Sequence, residues 1–231
     1  YLPAIFFVGL SAFFGADIFD EFIPEFWELP AYGLTTVAVV LFAGLVAPEA
    51  LVRDRRDGML SLYLATPLTR VTYLISKITA VVGILALIVV GPTLMFLLAV
   101  TFAGSGPEGL GEWATVLVRI IVSGIAASVV FSLVAMACSC LTDRRAFASI
   151  AVILLLLGFS ITISILIEAA DASVNWLLLD PVGMPFELIA RIFGAEGFET
   201  RLSAANVYLA NLGWVGVSLA VIWQRYRKAG A

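Results

Sequence analysis

The chain has 231 residues, of which 62% are apolar and 13% charged, and its formal net charge at pH 7 is −4. A water-soluble domain carries about 25% charged residues, so this composition excludes an ordinary soluble protein. The absence of histidine from the sequence removes the usual general base and zinc ligand. Uncharged stretches of about twenty residues can cross a bilayer as helices. We therefore expect an all-α polytopic membrane protein.

Six transmembrane helices are predicted, and together they form a single transmembrane domain over residues 1–231. Their approximate ranges in chain order are 1–16, 31–52, 71–102, 113–140, 146–169 and 204–223. The sequence begins within apolar helical sequence, so we expect it to start inside a longer protein, after a cytoplasmic N-terminal segment.

The basic residues predict how these helices are oriented. Ten of the thirteen lysines and arginines fall in 53–77, 143–145 and 225–228. The opposite loops hold thirteen acidic residues and three arginines. Because lysine and arginine concentrate on the cytoplasmic side, we expect a protein of the cell (plasma) membrane with both termini in the cytoplasm.

The long segment before the last span predicts a further short helix. Residues 180–185 form a turn cluster with two prolines and a glycine. Residues 186–193 follow with amphipathic spacing and end at Gly194. We expect a short extracellular amphipathic helix that lies on, or dips into, the outer leaflet.

The polar segment 53–70 is the part of the sequence most informative about function. Asp57 can cap a helix start, and apolar residues at spacings of three and four then share one face; they are Met59, Leu60, Tyr63 and Leu64. Pro67 disfavours helical geometry at Thr66. We therefore expect a two-turn helix that stops there, with Thr66 as the cap and Pro67 as the first residue of the next helix.

The sequence D-R-R-D-G-M-L-S-L-Y-L-A-T-P-L-T-R at 54–70, followed by Y-L-I-S-K at 73–77, resembles the signature of type-2 ATP-binding-cassette (ABC) transporter permeases. The resemblance implies that this segment is a cytoplasmic coupling helix, which docks on the ATPase subunit. Met59 stands where the family usually has threonine, and Ser61 where it usually has glutamate. The missing carboxylate at Ser61 weakens any salt bridge to a basic residue of the ATPase. The residues assigned to ATPase coupling are Arg55, Arg56, Asp57, Gly58, Met59, Leu60, Ser61, Leu62, Tyr63, Leu64, Thr66 and Pro67.

The chain has no G-x-x-x-x-G-K-[ST] phosphate loop, so we expect no cofactor in it and ATP with magnesium in a partner ATPase. The expected partners are that ABC ATPase, a second permease subunit and the lipid bilayer, without nucleic acid. The predicted function is ATP-driven export of a hydrophobic or amphipathic substrate by a subunit that is not itself an enzyme. A secondary active transporter and a membrane-embedded enzyme subunit remain alternatives.

Three ionisable residues close to apolar sequence are candidates for a functional charge: Glu49, Arg119 and Glu168. Glu49 follows Pro48, a position prone to a kink, and lies next to the coupling segment. Arg119 and Glu168 are candidates to pair with each other. The alternative for all three is an ion pair at a helix end, or a side chain that reaches the membrane surface.

Small residues at four-residue spacing permit close helix packing. The pairs are Thr79 and Gly83, Gly124 and Ser128, and Gly216 and Ala220. They suit a seam between two permease subunits or packing within one chain.

Overall fold

A computed structural model describes residues 34–49, 52, 69–104, 106–107, 109–170 and 172–228, and every regular element in these ranges is helical. The α-helices are α1 (Leu34–Leu41), α2 (Arg70–Ala103), α3 (Gly109–Cys140), α4 (Arg145–Ile153), α5 (Phe159–Ala170), α6 (Gly183–Phe193) and α7 (Ala204–Lys228). One π-helical turn, Phe42–Val46, follows α1, and a second, Leu154–Gly158, joins α4 to α5. A 3-10 helix, Val174–Leu179, precedes α6.

Four helices in the described ranges are long and apolar enough to cross a membrane, and they match the third to sixth predicted spans. They are Val71–Phe102, Gly109–Cys140, Arg145–Ala170 and Ala204–Arg227. A shorter apolar helix, Thr35–Glu49, occupies part of the second predicted span. The first predicted span lies outside the described residues. The four candidate spans in the described part make the chain a multi-pass membrane protein.

Helix α3 lies at the centre of the bundle. In its apolar stretch of 18 residues, 72% of the residues are buried, against 17% in the corresponding stretch of the helix Arg145–Ala170. Gly124 permits the close approach of α2, because a Cβ there would lie 2.3 Å from Cγ2 of Val90. The buried hydroxyls of Ser128 and Ser139 donate to backbone carbonyls one turn earlier, at 2.7 and 2.6 Å. These bonds let polar side chains lie inside an apolar bundle.

Helix α2 begins later than predicted. Thr69 has an extended backbone, with φ −78° and ψ 155°, and its side chain accepts a hydrogen bond from the Thr72 amide at 3.2 Å. Thr69 is therefore the N-cap and Arg70 the first helical residue. The helix therefore begins at Arg70 and not at Pro67, because the extended residue Thr69 directly precedes it; Thr66 and Pro67 themselves lie outside the described residues.

Helix α6 occupies the segment predicted to be a short amphipathic helix, but it is surrounded by protein. All residues from Met184 to Ala190 are buried. The ring of Phe186 lies 5.5 Å from that of Phe131 in α3, and the Asn211 side-chain amide in α7 donates to the Met184 carbonyl at 3.0 Å. Gly194 ends the helix in the left-handed conformation, at φ 82°. Helix α6 therefore packs against α3 and α7, and its position relative to the outer leaflet stays a prediction.

Candidate coupling site

The predicted coupling segment, with every residue assigned to ATPase coupling from Arg55 to Pro67, lies outside the described residues. The chain on either side of it is described. Glu49 and Val52 precede it, and Val52 is 2% exposed. Thr69 follows it and caps α2. These flanks show at which end of the bundle the segment leaves and re-enters the helices.

The flank before the segment is held to the start of α4. A carboxylate oxygen of Glu49 lies 3.3 Å from Nη2 of Arg145, and Nη1 of Arg145 donates to the other oxygen at 3.4 Å. The two side chains are 41% and 55% exposed. This geometry matches one of the alternatives predicted for Glu49, an ion pair at a helix end. This pair joins the second and fifth predicted spans.

Further contacts bring the start of α2 and the end of α7 to the same place. Asp143, in the turn before α4, lies 3.8 Å from Nη2 of Arg225. The rings of Tyr73 and Tyr226 are 6.2 Å apart, and the Lys77 ammonium lies 5.8 Å from the centre of the Tyr73 ring. The three segments that the sequence grouped by their positive charge thus share one end of the bundle. We call this end, defined by Glu49, Thr69, Asp143 and Arg225, the coupling end.

The predicted pair of Arg119 and Glu168 is wrong. Arg119 Nη1 donates to the carbonyl of Phe193 at 2.8 Å. Phe193 is the last residue of α6, where carbonyls lack helical partners and attract a cation. Glu168 is exposed, and within the described part of the chain it forms no ion pair. The sequence could not reveal this use of Arg119, since a backbone carbonyl 74 residues away has no signature.

A buried ion pair, which the sequence analysis did not identify, lies in α6. Glu187 and Arg191 are 4% and 10% exposed, with 3.7 Å between carboxylate and guanidinium. The Glu187 carboxylate also accepts from the Glu199 amide at 2.8 Å. Arg191 donates to the carbonyls of Glu199 and Leu202 at 3.1 and 3.0 Å. The sequence does indicate this pair, because Glu187 and Arg191 are four residues apart on a helix and oppositely charged side chains at that spacing are neighbours.

This pair fixes the loop that follows α6. Gly197 has φ 74°, and a Cβ there would lie 2.1 Å from a Glu187 oxygen, so only glycine fits. Burial raises the pKa of Glu187, and the Glu199 amide and Arg191 oppose that shift. The hydrogen bond from Arg201 lowers the pKa of Glu199. We call this region, defined by Asp180, Glu187, Arg191 and Glu199, the α6 end.

The small-residue pairs divide into one internal and two external pairs. Gly124 and Ser128 are buried in contact with α2 and cannot form a seam with a second subunit. Thr79 and Gly83 are exposed on α2, and Gly216 and Ala220 on α7. Among the described residues, a Cβ at Gly83 or Gly216 would meet nothing within 4 Å. Of the three pairs, these two leave room for contact with a further helix.

A comparison with protein families matches residues 31–223 to the family described as ABC-2 family transporter protein. The match extends over most of the chain, including the coupling segment, the first three candidate spans and the fourth as far as residue 223. A comparison with curated proteins gives no match.

Proposed function

This chain belongs to the ABC-2 transporter family and is the permease subunit of an ABC transporter, and we propose that it couples ATP hydrolysis by a separate subunit to export. The proposed cargo is hydrophobic or amphipathic. The family makes the chain the membrane subunit, which associates with an ABC ATPase, and not the ATPase itself. ATP and magnesium are held in that partner.

The main support for the coupling role is the position of the residues on either side of 53–68. Glu49 is paired with Arg145, and Thr69 caps the helix whose first turns contact Tyr226. Both flanks therefore belong to the coupling end, together with Asp143 and Arg225. A partner that pushes on the segment between them would act at once on the ends of α2, α4 and α7 and on the end of the helix Thr35–Glu49. Closure of two ATPases on ATP would move the coupling segments of two permease subunits and alternate the access of the substrate path.

Charge supports both the orientation and the class of cargo. The coupling end carries the basic residues that favour the cytoplasmic side, so we place it there, with both termini. The charged residues within the four candidate spans all lie toward their ends, and they are Lys77, Glu112, Arg119, Arg145, Glu168, Arg225 and Arg227. A path between such helices is uncharged in its middle, which suits an apolar or amphipathic molecule and opposes a small hydrophilic ion.

The coupling role is tested by placing a charge in the segment. We expect Leu60→Asp to reduce the ATPase recovered with the purified permease about tenfold or more, the effect of removing a central contact residue. The matched control is Leu110→Asp, because Leu110 is 89% exposed and lies at the opposite end of the bundle. Recovery is measured after mild detergent extraction, with thermal unfolding as the check on folding.

Two results would contradict the proposal. One is an equal recovery of ATPase with both variants and unchanged ATP-dependent export. The other is transport by the permease alone, driven by an ion gradient, which would favour a secondary transporter.

A further inference from the structure

The described residues contain two π turns, and the first of them packs against the end of α4, directly before the second. Gly44 lies in the first turn, Phe42–Val46, and faces Ile153, the residue before the second turn, Leu154–Gly158. A Cβ at Gly44 would lie 2.6 Å from Cγ1 of Ile153. The first π turn therefore contacts the last residue of α4, immediately before the second π turn begins. π turns are rare and are frequent at functional positions.

Each π turn has a local reason visible in its hydrogen bonds. Pro48 has no amide hydrogen to donate to the Gly44 carbonyl, and in a regular helix its ring would press against that carbonyl. The chain instead forms a wider turn, in which the Ala47 amide donates to the Phe42 carbonyl. Because a regular α-helical bond spans four residues and this one spans five, the turn accommodates one extra residue.

In the second turn, serine and threonine hydroxyls compete for the carbonyls. The amide of Phe159 donates to Leu154 across five residues. Ser160 Oγ donates to the Leu156 carbonyl at 2.7 Å, and Thr162 Oγ1 to the Gly158 carbonyl at 2.7 Å. Such side-chain bonds weaken the backbone ladder and favour bending. This turn therefore combines an irregular backbone ladder with competing side-chain bonds, and we expect the helix to bend there.

The segments on either side of the π turns are fastened to different ends of the bundle. On one side, Glu49 and Arg145 join the ends of the two helices at 3.3 Å. On the other, the Ser160 hydroxyl donates to the carboxylate of Asp180, which also accepts from the Val182 amide at 2.9 Å just before α6. The segment after the first π turn and helix α4, before the second, are thus fastened to the coupling end. Helix α5, after the second π turn, is fastened to the α6 end.

We propose that the two π turns form a hinge at which α5, together with the start of α6, moves relative to the coupling end when the ATPase acts. This inference rests on the proposed function, because the push enters through the segment that follows Glu49. The deformable turns allow the two ends to change their relative angle while the helices between them stay formed.

The test uses the complete complex of permease and ATPase, with spin labels on both sides of the second π turn. Cysteines replace Phe147 and Ile161, which are 58% and 57% exposed, in a background where Cys138 and Cys140 are serine. Labelled permease is diluted with unlabelled permease, so that distances within one chain dominate. We expect ATP with vanadate to shift the distance between the labels by a few ångström.

Deleting Leu155 should abolish the shift. The deletion removes the extra residue of the π turn and leaves the flanking α-helices in register, so folding and ATPase recovery should be retained. Deleting Val217 from the regular helix α7 is the control, because it rotates the rest of that helix by about 100° and should lower thermal stability. Pro48→Ala, which restores an amide donor after the first turn, is the second variant.

An unchanged distance shift in both π-turn variants would overturn the hinge. So would a wild-type complex that hydrolyses ATP with no change in label distance. Failure of the coupling proposal looks different, since it appears as normal ATPase recovery with Leu60→Asp, whatever the labels report.

Discussion

The two ends of the bundle hold their charges in opposite ways. At the coupling end, the pair of Glu49 and Arg145 is 41% and 55% exposed, and the pair of Asp143 and Arg225 is 64% and 51% exposed. At the α6 end, Glu187 is 4% exposed within a network of backbone hydrogen bonds. Exposed pairs are worth about 0–1 kcal/mol, whereas removing one partner of a buried pair costs about 3–5 kcal/mol.

This difference indicates which end is built to change shape. Ion pairs at the coupling end join separate helices through weak contacts that water can replace, so the helices can shift at little cost. The α6 pair instead joins one helix to its own following loop, which fixes that loop as a rigid unit. A force that the ATPase applies at the coupling end would therefore move the α6 end as a rigid body.

The largest expected effect comes from removing the guanidinium of Arg191. Arg191→Met leaves the Glu187 carboxylate buried beside its backbone amide donors and deprives the Glu199 and Leu202 carbonyls of their partner. We expect a loss of about 3–5 kcal/mol in the stability of this region. Thermal unfolding in lipid nanodiscs measures it, and faster trypsin cleavage at Arg201 reports the release of the loop.

The matched control is Arg201→Met, which removes the same group from an exposed pair with Glu199, where the nitrogen and oxygen are 2.8 Å apart. It should leave the unfolding temperature nearly unchanged. Equal destabilisation by the two substitutions would show that the α6 pair is no more important than a surface pair.

An intermediate effect is expected from pH. The pKa of Glu187 is raised above its ordinary value of 4.5 in the folded state, so the folded protein binds this proton more readily than the unfolded chain. Its contribution to stability is therefore full below pH 4.5 and is lost as the pH rises through the raised pKa. The pKa of Glu199 is lowered, so its contribution is present above pH 4.5 and is lost as the pH falls through the lowered value.

We thus expect the α6 end to gain stability as the pH falls through the raised pKa of Glu187 toward 4.5, and to lose part of it on further acidification. Glu187→Gln should remove the first slope, while Glu196→Gln, at an exposed carboxylate in the same loop, should keep it. The readout is the unfolding midpoint against pH. A wild-type midpoint that falls steadily from pH 7.5 would contradict the assignment to Glu187.

Much of the fold could be predicted from the sequence, because long uncharged stretches and their capping residues are local signals. Gly194 marks the end of α6, and Pro48 marks an irregularity that became a π turn. The second π turn could not be predicted, since the run Leu154–Gly158 does not differ from ordinary helical sequence. The burial of α6 and the partner of Arg119 also depend on how distant helices pack. The residues of the coupling segment itself remain predictions from the family resemblance.

The smallest expected effect on stability is at the coupling end. Glu49→Gln removes the charge on one side of a half-exposed pair and keeps a side chain of the same shape. It should change the free energy of unfolding by about 0–1 kcal/mol, and less as salt is raised. Yet Glu49 ends the helix Thr35–Glu49 just before the chain enters the coupling segment, so ATP-driven transport should fall more than stability does.

The charge-reversed double variant Glu49→Arg with Arg145→Glu separates the pair from the individual residues. If the contact transmits motion, each single reversal should reduce ATP-driven turnover and the double variant should restore part of it, with all three unfolding within about 1 kcal/mol of the wild type. Destabilisation of Glu49→Gln as large as that of Arg191→Met would remove the distinction between the two ends. A double variant no better than the singles would mean that the pair only marks where two helices end.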